Sequence, residues 1–398
     1  MVLSFLLETC LILVAVLAAG RLSRRLGQPA VLGQLLVGVL FGPALLGWLQ
    51  PGPLISEVAE IGVVLLMFIA GLETQFEEIK RNVVAATLVA VLGVALPFAA
   101  GWLTADVWGF DSPTAVFTGV LLVATSVSIS AQTLKELGHL QSRPGVTILA
   151  AAVLDDVLGI IVLSVVLGSL GASGGGGHGA EPLPLLLGKM AGFFAAAILV
   201  GYKLLPGIMQ RVARMEGSLP LLTVSISVAL AFAWAAEFTG LAGIIGSYLI
   251  GLMLSLTDLR EKIMHEVEHI AYAFFVPFFF ANVGLSATFA GLTGSFLLFV
   301  VVLVLVAAAT KIVGCGAGAL LARFPLRDAT GVGVGMMARG EVGLIVATIG
   351  LEAGLLPPEL YTGMVFVSLG TTLLTPPLLK LVFKPQPGGQ QQELPTAD

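Results

Sequence analysis

Charge is what this chain has least of. Only 11% of its 398 residues are Asp, Glu, Lys or Arg, while 57% are hydrophobic. Soluble domains carry about 25% charged residues, so an ordinary soluble domain is excluded. Cysteine is equally scarce. The two present, Cys10 and Cys315, lie inside apolar segments and read as small core residues, which excludes a disulfide framework or a thiolate metal centre. A basic stretch ahead of the first apolar run is also missing, so that run reads as a membrane helix and not as a cleaved signal.

What remains is a polytopic membrane protein with a mean hydropathy of +1.04. Apolar runs of about 20 residues recur throughout, and about thirteen spans can be placed. They cover residues 2–20, 30–48, 58–72, 83–103 and 114–134, then a sixth span around residues 150–163. After it come 183–205, 219–236, 241–256, 274–285, 296–321, 330–351 and 360–382. Arg21, Arg24 and Arg25 follow the first span, Lys80 and Arg81 the third, Lys135 and Arg143 the fifth, and Arg211 and Arg214 the seventh. The positive-inside rule puts these turns in the cytoplasm, with the N-terminus outside and the C-terminus inside. A Gly-rich outer loop spans residues 171–179, and the most charged stretch, residues 258–269, falls inside.

The sixth span holds Asp155 and Asp156 side by side within an apolar run. A charge at membrane mid-depth costs about 2.5–3.5 kcal/mol on insertion scales, and nothing in the flanks offsets it. Neighbouring helical residues are rotated by about 100°. One aspartate can therefore face an aqueous cavity while the other faces a different helix, which implies two roles.

Two pairs of segments are alike. Residues 32–40 match 245–253, and Gly71-Leu72 matches Gly284-Leu285. The offset is seven spans in both cases. An odd offset reverses the second copy in the membrane, as in the inverted repeats of secondary transporters: six spans, a linker span and six more. Spans five and twelve are then equivalent. Span twelve carries Gly331, Gly333, Gly335, Gly340 and Gly343 around Arg339 and Glu341, a composition for a broken helix. Span five carries Thr125, Ser126 and Ser128, whose hydroxyls can satisfy backbone groups freed by unwinding.

The segments 33–38, 68–73, 124–126, 154–156, 278–285 and 338–341 together resemble the cation/proton antiporter superfamily. The nearest branch holds bacterial sodium/proton antiporters with paired aspartates and the glutathione-gated potassium-efflux systems. The resemblance implies an all-α membrane fold with inverted six-helix repeats, a linker helix and two broken crossing helices in the core. It implies a homodimer with dimerisation helices in residues 1–82 and 215–290 and core helices in 83–170 and 291–384. Residues 171–214 would form the outer loop and linker, and 385–398 a cytoplasmic tail. It matches Asp156 to the cation- and proton-carrying aspartate, Asp155 to the partner of Lys311, and Thr125 and Ser126 to the helix crossing, with Ser128 beside them. Potassium-efflux members carry glutamine where this chain has Asp155, and a large nucleotide-binding domain after the last span. Both differences favour sodium.

On this reading the chain exchanges Na⁺ for H⁺ and is not an enzyme. The transported Na⁺ and H⁺ replace any cofactor, Li⁺ or K⁺ being further candidate cargo; lipid is a partner and nucleic acid is not. Na⁺ prefers oxygen ligands, and Asp156 is the expected metal-ion ligand. Proton and Na⁺ compete for its carboxylate, and that competition is the coupling. Two readings of Lys311 stay open: it releases a second proton when Na⁺ enters, or it only neutralises Asp155. Arg339 and Glu341 are expected to pair with charges or helix ends near the break as a core charge pair, not to act as ligands. Glu73, Glu77 and Glu78 suit either a cation-attracting mouth or a solvated face. His139, His265 and His269 suit a solvated surface cluster better than a pH sensor, and His178 has no role. K⁺/H⁺ exchange is the rival reading. A passive channel needs a continuous pore with rings of charge or carbonyls. An intramembrane aspartyl protease needs its two acids on facing helices, whereas these are adjacent.

Overall fold

The computed structural model describes residues 2–170, 183–215, 219–285 and 294–384. The Gly-rich loop with His178 and the C-terminal tail lie outside the described residues. Among the described residues every regular element is helical. In order they are α1 (Val2–Arg25), α2 (Ala30–Phe41), α3 (Pro53–Glu73), α4 (Phe76–Val107), α5 (Ser112–Val123), α6 (Val127–Glu136), α7 (Arg143–Ser169), α8 (Leu183–Leu199) and α9 (Leu205–Ala213). Then follow α10 (Leu219–Phe238), α11 (Gly243–Leu254), α12 (Arg260–Ile270), α13 (Val276–Leu285), α14 (Gly294–Leu321), α15 (Leu326–Gly335), α16 (Glu341–Glu352) and α17 (Pro358–Val382). Single π turns, Val200–Leu204 and Ala271–Phe275, join α8 to α9 and α12 to α13.

Among the described residues, ten helices are long and apolar enough to cross a membrane, taking α5–α6, α8–α9 and α12–α13 as continuous runs. Three shorter apolar helices, Ala30–Phe41, Gly243–Leu254 and Val342–Leu351, lie among them. Apolar side chains cover the outside as well as the inside: Leu7, Val14, Val84, Trp234 and Phe238 are all exposed. Water would not tolerate so much exposed apolar surface, and lipid requires it. Cys10 is among the exposed residues, so only Cys315 is a core cysteine.

Several spans differ from the limits read off the sequence. The second ends at Phe41, because Gly42 precedes Pro43 and the residue before a proline is biased away from helical backbone. The charged stretch 258–269, read as outside the spans, is largely helical. Most of it forms α12, which turns Ile263 and Val267 inward one helical turn apart and runs through the π turn into α13. The seventh span continues as helix to Ala213.

The helices α1, α2, α3, α10, α11 and α13 pack among themselves, and so do α4, α5, α7, α14, α15 and α17. Glycine sets two crossings in the first group. A Cβ on Gly38 of α2 would stand 2.0 Å from the Ala281 carbonyl oxygen and 2.7 Å from Leu285 N on α13. A Cβ on Gly251 of α11 would stand 2.3 Å from the Phe68 carbonyl oxygen and 3.1 Å from Leu72 N on α3. Helix backbones approach this closely only where no side chain intervenes.

Candidate functional site

Two helices stop and restart inside the second group. Between α5 and α6, Ala124 and Ser126 are extended (φ/ψ −50°/136° and −113°/113°). Between α15 and α16, residues 336–340 leave helical geometry, and Gly340 sits at φ −133°, ψ −138°. The breaks meet. Ser126 N–H donates to the Ala338 carbonyl at 2.8 Å, and Ser130 Oγ donates to the Gly335 carbonyl at 2.5 Å. Ser126 and Ser128 hydroxyls are 3.0 Å apart, and Thr125 Oγ1 lies 3.4 Å from the Val123 carbonyl. A Cβ on Gly340 would lie 2.7 Å from Ser126 Oγ, so the crossing needs glycine there. All three hydroxyl residues, Thr125, Ser126 and Ser128, are buried.

Arg339 is fully buried at this crossing. Nη2 donates to the Leu122 carbonyl at 2.7 Å and the Ala307 carbonyl at 3.2 Å, and Nη1 donates to the Met337 carbonyl at 3.1 Å. Leu122 lies in the last turn of α5, where unsatisfied carbonyls and the helix dipole favour a cation. The Arg339 carbonyl accepts hydroxyls from Ser368, at 2.9 Å, and Thr372 on α17. Sequence reasoning missed these two residues. Hydroxyls one turn apart on the last span were the available signal. The Glu341 side chain lies outside the described residues.

Asp155 and Asp156 on α7 part company, as the helical rotation requires. Asp155 turns to α14, where Lys311 Nζ donates to its Oδ1 at 2.8 Å. These two side chains are 1% and 0% exposed, so water offers neither charge any compensation and the partner must. Asp156 turns the other way. It lines a cavity with Val127, Leu149 and Val153 from its own side, and with Met67, Ile244, Ile245 and Tyr248 from α3 and α11. The carboxylate thus faces the gap between the two helix groups, and it is 9% exposed. Among the described residues no cluster of three or more His, Cys, Asp or Glu could hold a metal ion, which leaves one carboxylate in a largely apolar cavity beside a hydroxyl-rich crossing.

At the basic end of α6 the sequence reading of Glu73 as a mouth or solvated acid needs correcting. Glu73 is buried, and its Oε1 is 2.6 Å from Lys135 Nζ. It was missed because its partners are distant in sequence. Glu77 is exposed, and the Glu78 side chain lies outside the described residues. His265 and His269 are exposed and packed edge to face at 4.4 Å. His139 is apart from them, beside the Lys384 carbonyl at 2.8 Å and stacked on Phe383.

The family model described as sodium/hydrogen exchanger, transmembrane, matches residues 12–384. The chain belongs to the sodium/hydrogen exchanger family. It is 42% identical over 379 residues to the Na⁺/H⁺-K⁺ antiporter GerN of Bacillus cereus, covering 95% of this chain and 96% of that one. It is 39% identical to a Na⁺/H⁺ antiporter of Enterococcus hirae, covering 94% and 97%. It is 34% identical to the high-affinity Na⁺/H⁺ antiporter NhaS3 of Synechocystis, covering 98% and 91%. The solved structure of the sodium proton antiporter MjNhaP1 from Methanocaldococcus jannaschii has the same fold, with a TM-score of 0.66 at 16% identity, over 96% of this chain and 99% of that one.

Proposed function

We propose that this exchanger-family chain moves Na⁺ and H⁺ in opposite directions by alternating access, with Asp156 as the group that carries either. The observation that carries the reading is the placement of the Asp156 carboxylate. It faces the gap between two helix groups, next to the crossing of two broken helices. Broken helices supply free backbone groups and dipole ends where secondary transporters bind ions. Thr125, Ser126 and Ser128 are buried oxygen-bearing side chains at the crossing, and carbonyls and water would complete a Na⁺ shell. One carboxylate cannot hold a proton and Na⁺ together, so binding of either releases the other.

The packing supports a division of labour. The group with α1–α3 and α10–α13 is the scaffold and dimerisation unit, α4–α7 and α14–α17 the moving core, and α8–α9 the link. The two glycine crossings support an inverted repeat. Gly38 and Gly251, Gly71 and Gly284, Phe68 and Ala281, and Leu72 and Leu285 all stand at one constant spacing, and the contacts of one crossing reproduce those of the other. With the two short helices and the broken α15–α16 pair counted as spans, the repeat gives thirteen. The turns rich in Lys and Arg support a cytoplasmic basic end. The Asp155–Lys311 pair supports electrogenic exchange: release of a Lys311 proton beside that of Asp156 would move one net charge per Na⁺, worth about 2.3 kcal/mol per 100 mV.

One observation favours a second cargo. The GerN relative carries both Na⁺ and K⁺ in its name. Purified protein in liposomes tests the choice by following internal pH after external NaCl, KCl or choline chloride is added. Proton movement with NaCl and not with choline is expected. Larger movement with KCl makes K⁺ the cargo, and no cation-linked movement in folded protein overturns the exchange reading.

A further inference from the structure

The mechanism above leaves one part-buried polar cluster unused, at the basic end of α6. Lys135 Nζ lies 2.6 Å from Glu73 Oε1, the last residue of α3, and 2.5 Å from Glu268 Oε1 on α12. The Tyr272 ring covers the ammonium, with its centroid 5.1 Å away. Tyr272 O–H in turn donates to Gln132 Oε1, one turn earlier on α6, at 2.7 Å. The next residue, Glu136, accepts the N–H of Ala30 at 2.6 Å, a carboxylate at the N-terminus of α2, where the helix dipole favours it. Three side chains of one half-helix thus each grip a different element of the other helix group.

The position of the cluster gives it a consequence. Val127 at the start of α6 lines the Asp156 cavity, and Lys135 lies about 12 Å further along the same helix at 1.5 Å per residue. On α3, Met67 lines that cavity, and Glu73 lies about 9 Å further toward the same end. The ion pairs therefore bridge α6 and α3 between the cavity and the basic face.

We infer that Gln132, Lys135 and Glu136 form a latch that holds α6 against α2, α3 and α12 and closes the cytoplasmic approach to Asp156. This rests on the alternating-access reading for its orientation and for the motion of α6. Opening must pull one ammonium from between two carboxylates, which then face each other without their shared counter-charge. Such a part-buried three-charge arrangement is stronger than an exposed pair. α6 is short and begins at the break, so it transmits the latch directly to the cavity.

Cysteine accessibility tests the latch. Met67→Cys in a Cys10→Ser background is labelled with a membrane-impermeant methanethiosulfonate applied to the basic face of oriented vesicles, Cys315 remaining buried. Lys135→Met is expected to raise the labelling rate about five- to tenfold. The swap Lys135→Glu with Glu268→Lys again sets one lysine between two carboxylates, and is expected to return the rate to within about twofold of the parent. Equal rates with and without Lys135, or a swap that labels as fast as Lys135→Glu alone, overturn the latch. If Lys135→Met fails to reach the membrane, Lys135→Glu against the swap carries the comparison. Labelling needs no ion gradient. Vesicles with the labelling difference but no cation-linked proton flux keep the latch and overturn the exchange reading.

Discussion

Lys311 Nζ and Asp155 Oδ1 are 2.8 Å apart, and both side chains are sealed from solvent. Each neutralises the other, so removing one strands the other. Asp155→Asn is expected to cost about 3–5 kcal/mol of stability, the range for breaking a buried pair. The double variant Asp155→Asn, Lys311→Gln is expected to recover most of that loss. Thermal melting of detergent-purified protein checks both. A double variant as unstable as the single one contradicts mutual neutralisation.

Arg339 has a different task, since its Nη1 and Nη2 groups donate to the carbonyls of Leu122, Ala307 and Met337. Lysine is a point charge and cannot reproduce the planar fork. Arg339→Lys is expected to lose about 1.5–3 kcal/mol, the worth of one hydrogen bond to a charged group. Melting of the purified variant measures the loss, and Arg339→Met should fall further.

The glycine crossings give a paired expectation. Gly38→Ala and Gly251→Ala each drive a methyl into a backbone carbonyl, at 2.0 and 2.3 Å. Overpacking costs about 1–3 kcal/mol per site. If the two crossings are repeats of one structure, the two losses will agree closely in parallel melts. An effect at one site alone contradicts the repeat.

Local signals in the sequence carried far. The aspartates announced themselves by their cost in an apolar span, and the helix breaks by glycines and hydroxyls at residues 124–126 and 331–343. Long-range signals carried less. Nothing near Lys135 in sequence names Glu73, Glu268 or Tyr272 as its neighbours, because three separate elements bring them together. Hydropathy alone also left α12 outside the spans, since an amphipathic helix with one buried stripe resembles a solvated segment when only its charge is weighed. The second and ninth spans were legible as apolar runs, but α2 and α11, with 12 residues each, are shorter than the runs read for them.

The two readings of Lys311 separate by charge movement. If Lys311 yields a proton on Na⁺ entry, NaCl added to proteoliposomes generates a potential that a voltage-sensitive dye reports, and the Asp155→Asn, Lys311→Gln variant exchanges without one. If Lys311 only neutralises Asp155, the dye response per proton moved is the same in both.

The central claim is that Asp156 carries the cation and the proton in turn. Uptake of radioactive Na⁺ into proteoliposomes, driven by an imposed proton gradient and compared between wild type and Asp156→Asn, tests it most directly. Asparagine keeps the size and removes the charge. The account predicts uptake in the wild type that collapses with the gradient, and uptake in Asp156→Asn no faster than in empty liposomes, with the variant still folded by its melting curve. Gradient-driven uptake in folded Asp156→Asn at a wild-type rate would contradict it.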